Sequence, residues 1–258
     1  MHFNWKKPAH LFAFFMLFLS FFVFLILPLL SLVMPVADID TMNQFGDLEG
    51  SFALIFELIL LIVQLILVIL LFILVPFLWY RLVNNFSIQQ ILRQIKLKKQ
   101  NLDMAFLYGI ITAIIALGLV LIIGTVLSYV GITDENASNI QDLELFFSIP
   151  AIFFLITVQP IAEEIFFRGF LLDKFEITVG KYPSIIITSI LFGLAHVSMG
   201  NVIPAFIISI VAVVFGYMVI RTRNLMVGII GHVLFNLISF VLYLIGKEIL
   251  TEGIISFL

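Results

Sequence analysis

The 258-residue chain contains no cysteine. That excludes disulfides, iron–sulfur clusters, thiolate zinc sites and a cysteine nucleophile. Charge is scarce as well: 11% of the residues are Asp, Glu, Lys or Arg, where a soluble domain carries roughly 25%. With 63% hydrophobic residues and a mean hydropathy of +1.25, the composition is that of a polytopic membrane protein, not of a globular core. No His-Glu-x-x-His run occurs, which excludes a zincin-type metal site. Internal repeats and a second domain are equally missing, so residues 1–258 read as one transmembrane domain. The first apolar run is too long for a signal-peptide h-region and lacks a small-x-small cleavage site, so it reads as a retained span.

The apolar runs predict an all-α bundle of about seven spans, at residues 9–34, 51–80, 105–130, 145–175, 182–199, 203–220 and 225–246. The tail beyond Lys247 is too short to cross again. Phe3, Trp5, Lys6 and Lys7 precede the first span as an aromatic and basic interface anchor. Residues 86–103 place Ile88, Ile91, Leu92 and Ile95 at helical spacing, with Arg93, Lys96, Lys98 and Lys99 between them. This pattern predicts a cationic amphipathic helix on the inner membrane surface, and a partner made of lipid, not nucleic acid. Two connecting loops carry acid and no base: Asp38, Asp40, Asp47 and Glu49 in one, Asp134, Glu135, Asp142 and Glu144 in the other. With a cytoplasmic N-terminus, Lys247 is the one basic residue among 13 that falls outside; the others, Arg168 included, fall inside. In the second span Glu57 and Gln64 lie seven apart on one face. The plain expectation there is a glutamate that snorkels outward and a glutamine bonded to a neighbouring helix.

The stretch Gln159-Pro160-Ile161-Ala162-Glu163-Glu164-Ile165-Phe166-Phe167-Arg168-Gly169 puts two carboxylates inside an apolar run. At bilayer depth a carboxylate costs roughly 2.5–3.5 kcal/mol on insertion scales, so the pair calls for a reason. Glu164 and Arg168 are i,i+4 on one helical face and predict an ion pair. Glu163 points about 100° away, which leaves it free for chemistry. Three further polar residues interrupt later spans: His196, four residues after Phe192, and His232 with Asn236, also i,i+4. At 1.5 Å per residue, Glu163 and Asn236 lie about 18 Å from the inner ends of their helices, His196 about 21 Å and His232 about 12 Å. Polar groups on three helices at a similar depth predict one site.

These groups suit water activation. A carboxylate with an imidazole can hold and deprotonate a water. A second imidazole and a carboxamide can donate to the oxyanion formed when water attacks an amide carbonyl. Alternatively Glu163, His196 and His232 supply three ligands to Zn²⁺ with an open fourth position.

Taken in order, Glu163-Glu164-x-x-x-Arg168-Gly169, Phe192-x-x-x-His196 and His232-x-x-x-Asn236 resemble the CPBP family of intramembrane proteases, the family of the CAAX prenyl endopeptidases and of bacteriocin-processing or immunity proteins. The resemblance covers about residues 159–239, within a motif-bearing core of about 145–246. It implies a helical fold whose cavity opens to the cytoplasm, in a multi-pass protein of the cell membrane. By motif it implies that Glu163 with His196 activates water and that His232 with Asn236 stabilises the oxyanion. Glu164, Arg168 and Phe192 are then supporting residues. The family pattern has eight helices against the seven spans counted here. The implied substrate is a membrane-anchored or lipidated peptide. A non-catalytic immunity or regulatory protein of the same fold is the alternative. A proton-coupled transporter is the other; it predicts inverted repeats, and the first half has no counterpart to the Glu-Glu span.

Overall fold

The computed structural model describes residues 3–30, 32–33, 50–97, 101–132, 143–144, 146–197 and 202–255. Among these residues every regular element is helical. In chain order they are α1 (Pro8–Leu30), α2 (Phe52–Val83), α3 (Ile88–Gln94), α4 (Leu102–Tyr129), α5 (Ile149–Val179), α6 (Lys181–Leu194), α7 (Ile203–Thr222) and α8 (Leu225–Ile255). Six helices, α1, α2, α4, α5, α7 and α8, carry apolar stretches long enough to cross a bilayer. The fold is an all-α polytopic bundle, and the protein is a multi-pass membrane protein.

The outward faces of α1, α2 and α4 expose large apolar side chains such as Phe12, Phe15, Leu54, Leu58, Ile114 and Leu121, a surface made for lipid chains. The interior gathers on α5. Its residues 165–171 are all buried and form a π-helical turn. Phe72, Tyr80, Ile91, Ile95, Phe192, Val219 and Leu225 pack around that turn from α2, α3, α6, α7 and α8. The extra residue in a π turn shifts the phase of the side chains beyond it, and such turns recur at functional sites.

Three elements depart from the sequence pattern. The run expected at 182–199 yields α6, only 14 residues long, about 21 Å at 1.5 Å per residue and short of a full crossing. The helix ends where the His196 N–H turns back to the Gly193 carbonyl at 2.8 Å; Met199 lies outside the described residues. The last helix does not stop at Gly246 but runs 31 residues to Ile255. The third departure is the amphipathic segment. It forms a helix of 7 residues, started by a reciprocal Ser87–Gln90 capping box, instead of one spanning 86–103. Its apolar stripe is divided: Ile91 and Ile95 are buried in the protein core, while Ile88 stays exposed.

Lys96 turns inward too, at φ +61°, to lie 3.7 Å from Asp173 and 3.6 Å from Glu176. The cause is the demand of buried Asp173, which also accepts from the Tyr80 hydroxyl and the Gln94 amide, each at 2.9 Å. A carboxylate sunk that deep is tolerated only with such partners. Lys98 and Lys99 lie outside the described residues, as do Met34, the acids Asp38, Asp40, Asp47 and Glu49, and the acids Asp134, Glu135 and Asp142.

Glu57 does not snorkel. Its Oε1 accepts from the Ser148 N–H at 2.8 Å and the Ser148 hydroxyl at 2.6 Å, so it caps the N-terminus of α5, where a negative charge is favoured. At the same end of the bundle, Glu144 joins residues 143–144 to α8. Partial desolvation pushes its carboxyl up, but hydrogen bonds from Lys247 and Tyr243 outweigh that and hold it below the usual carboxylate range.

Candidate active site

Glu163 and Glu164 are both buried, and Glu164 is wholly so. Arg168 lies 2.8 Å from Glu164 Oε1, the i,i+4 pair expected from the spacing. Arg168 is itself buried, so it adds no charge to the inner surface and leaves the orientation argument to the other basic residues. Glu164 Oε1 is shared, since His232 Nδ1 lies 3.1 Å from it. Its Oε2 abuts Gly228 of α8, where a Cβ would come within 2.6 Å of that oxygen and 2.9 Å of Val219. A residue with no side chain is what lets α8 pass this carboxylate. The Arg168 guanidinium stands 4.1 Å from the Phe192 ring centroid and 5.8 Å from that of Phe215. Its charge is thus balanced by one carboxylate and by aromatic faces.

Glu163 has a different set of partners. Gln159, one turn earlier on α5, donates to Glu163 Oε1 at 2.7 Å. Oε2 lies 3.8 Å from His232 Nε2. His232 therefore stands between the two carboxylates, its ring stacked on Phe215 at 5.3 Å and edge-on to Phe192 at 5.6 Å.

His196 follows the end of α6. Its Nδ1 sits 2.7 Å from the Phe192 carbonyl, a helix-end oxygen left over when the His196 N–H turns to Gly193. A carbonyl only accepts, so Nδ1 carries the proton and Nε2 is left as the ring's acceptor. The His196 ring is 4.5 Å from that of Phe192. Phe192 thus touches Arg168 and both histidines.

Asn236 is not drawn into this group. Its Nδ2 donates to the Ile156 carbonyl at 3.4 Å, about two helical turns before Glu163. Pro160 lies inside α5 and has no N–H for the carbonyl four residues back. Asn236 supplies the missing donor.

Residues 145–238 match the family model of the type II CAAX prenyl endopeptidases, Rce1-like. That segment is a CPBP-family domain. The CPBP domain holds every residue of the site so far described, from Gln159 to Asn236, while α1 to α4 precede it. Neither the characterised proteins nor the solved structures include a match to the chain.

Among the described residues no three His, Asp or Glu side chains converge as ligands, so Glu163, His196 and His232 do not fit Zn²⁺ in this arrangement. Residues to which the sequence reading gave no role also enter the site. Gly228 shares a face with His232 four residues on, and Gln159 shares one with Glu163, so helical spacing carried a signal for both. Phe215 had none, because its contact with His232 depends on how α7 and α8 pack.

Proposed function

We propose that the chain is an intramembrane endopeptidase that hydrolyses a peptide bond beside a membrane-anchored or lipidated segment of its substrate. The observation that carries this reading is Glu163 beside His232 in an otherwise apolar core, with His196 against the same Phe192 ring that His232 meets, inside a CPBP domain.

Glu163 Oε2 takes a proton from a water as that water's oxygen bonds to the scissile carbonyl carbon. His196, held by the Phe192 carbonyl, accepts the water's other hydrogen at Nε2 and aims its lone pair. The carbonyl oxygen becomes an oxyanion. His232 donates to it from Nε2 while Nδ1–H stays on Glu164, so this step uses the imidazolium, in which both nitrogens are donors. Asn236 joins as a second donor when its amide leaves the Ile156 carbonyl. Collapse breaks the C–N bond, and the proton on Glu163 passes to the leaving amine. The matched family is named for prenyl endopeptidases, so a prenylated peptide is the first substrate class to assign.

The test incubates the purified protein with a farnesylated CAAX-type peptide and an unprenylated control, with cleavage read by mass spectrometry. Wild-type protein should cleave the prenylated peptide, and Glu163→Ala and His196→Ala should not, while remaining folded in the membrane. Full activity in Glu163→Ala would overturn its assignment as base. Saturable binding without cleavage by the wild type would favour the immunity or regulatory alternative.

A further inference from the structure

We infer that Gln64 and Gln159 form a directional hydrogen-bond relay that positions the Glu163 carboxylate. The relay rests on the reading of Glu163 as the base. It brings α2, which lies outside the matched segment, into the site.

Direction follows from donor and acceptor chemistry. An ionised carboxylate only accepts, so Gln159 must present its NH₂ to Glu163, as it does at 2.7 Å. The Gln159 oxygen then faces α2 and needs a donor. Gln64 Nε2 provides it at 3.2 Å. A carboxamide can turn over and exchange its two ends. Gln64 is what holds Gln159 with the NH₂ toward Glu163. With Oε1 pinned, Oε2 on the His232 side is the oxygen left to receive the water's proton. Gln64 and Gln159 touch no reacting atom; they are positioning residues. In a lipid-facing helix a glutamine could serve only as a link between helices, and a link would have no preferred direction.

Direction is therefore what the experiment reads. Gln159→Met, similar in shape but without a donor, should lower kcat by roughly tenfold to a hundredfold at unchanged KM, the scale for a misplaced group. Gln64→Met should do the same more weakly. Gln64→Glu places an acceptor opposite Gln159 and turns its amide around, so it should be worse than Gln64→Met, although polar and closer in shape. In a Gln159→Met background both Gln64 changes should have no further effect on kcat, since Gln64 acts only through Gln159. A second readout does not depend on activity. The carboxylate band isolated in wild-type minus Glu163→Gln infrared difference spectra should move in Gln159→Met and partly in Gln64→Met. A band that stays in place, or Gln64→Glu equal to Gln64→Met in kcat, overturns the relay. If the wild type cleaves nothing while the band still moves, the relay stands and Glu163 loses its role as base.

Discussion

Glu164 is the side chain on which the site's other charges depend. It pairs Arg168 and holds His232 through one oxygen, while its other oxygen rests on the bare backbone of Gly228. Helix propensity alone would favour alanine over glycine in α8 by about 1 kcal/mol. The contact argues the opposite sign, since a Cβ 2.6 Å from Glu164 Oε2 must displace a pinned carboxylate. Gly228→Ala should therefore lower stability by roughly 1–3 kcal/mol, the range for overpacking, measured by thermal unfolding in detergent. Glu164→Ala leaves Arg168 buried without its carboxylate and should cost about 3–5 kcal/mol. In that background Gly228→Ala should cost much less, because its clash partner is gone. Equal costs in both backgrounds would sink the idea. At this scale, what lay within one helical turn was readable: Glu164 with Arg168 followed from i,i+4 spacing. The contact of Glu164 with His232 spans 68 positions and depends on helix packing, so no local pattern announced it. Phe192 shows the same limit. Its apolar side chain reads as packing, yet only the assembled fold shows it stacked on a guanidinium.

At the scale of elements, α5 carries a cost and its remedy. Pro160 leaves the Ile156 carbonyl without its helical donor, and Asn236 of α8 supplies one. Two roles for Asn236 then make different predictions. As helix glue, Asn236→Ala should lose stability on the scale of one hydrogen bond, about 0.5–1.5 kcal/mol. That loss should shrink in a Pro160→Ala background, where an N–H returns to the Ile156 carbonyl. As an oxyanion donor, Asn236→Ala should lower kcat by roughly 10²–10³, and Pro160→Ala should not repair that. A double-mutant cycle with both unfolding and turnover as readouts separates the two. Turnover fully restored with stability would remove Asn236 from the chemistry. Matched depth, computed along straight helices, placed Asn236 level with Glu163. The structure engages it further out because the freed carbonyl is there. The apolar and amphipathic patterns likewise overextended α6 and α3, whose ends are set by the His196 turn and by Lys96 reaching Asp173. A hydropathy pattern sees neither.

For the whole molecule, the polar contacts sort by end. One end joins the N-terminal segment to α2 through Phe3 and Trp79, stacked at 5.8 Å, and ties α3, α5 and the α7–α8 turn through Lys96, Asp173, Glu176 and Arg223. The other end holds Glu57 on Ser148 and Glu144 under Tyr243 and Lys247. The basic end faces the cytoplasm under the positive-inside rule, an assignment that rests on lysine and arginine and is our proposal. The absence of cysteine makes it directly testable, since each introduced thiol is the only one. Gln94 would be a poor reporter at the basic end, because its amide holds Asp173 and its loss would disturb the cluster. Gln89 is exposed on α3 and serves instead. Gln89→Cys should resist a membrane-impermeant maleimide added to intact cells and react after permeabilisation. Asn136→Cys, in the acidic loop, should react in intact cells. The reverse pattern would invert the bundle. The Gln94–Lys96–Asp173 end would then face away from the cytoplasm.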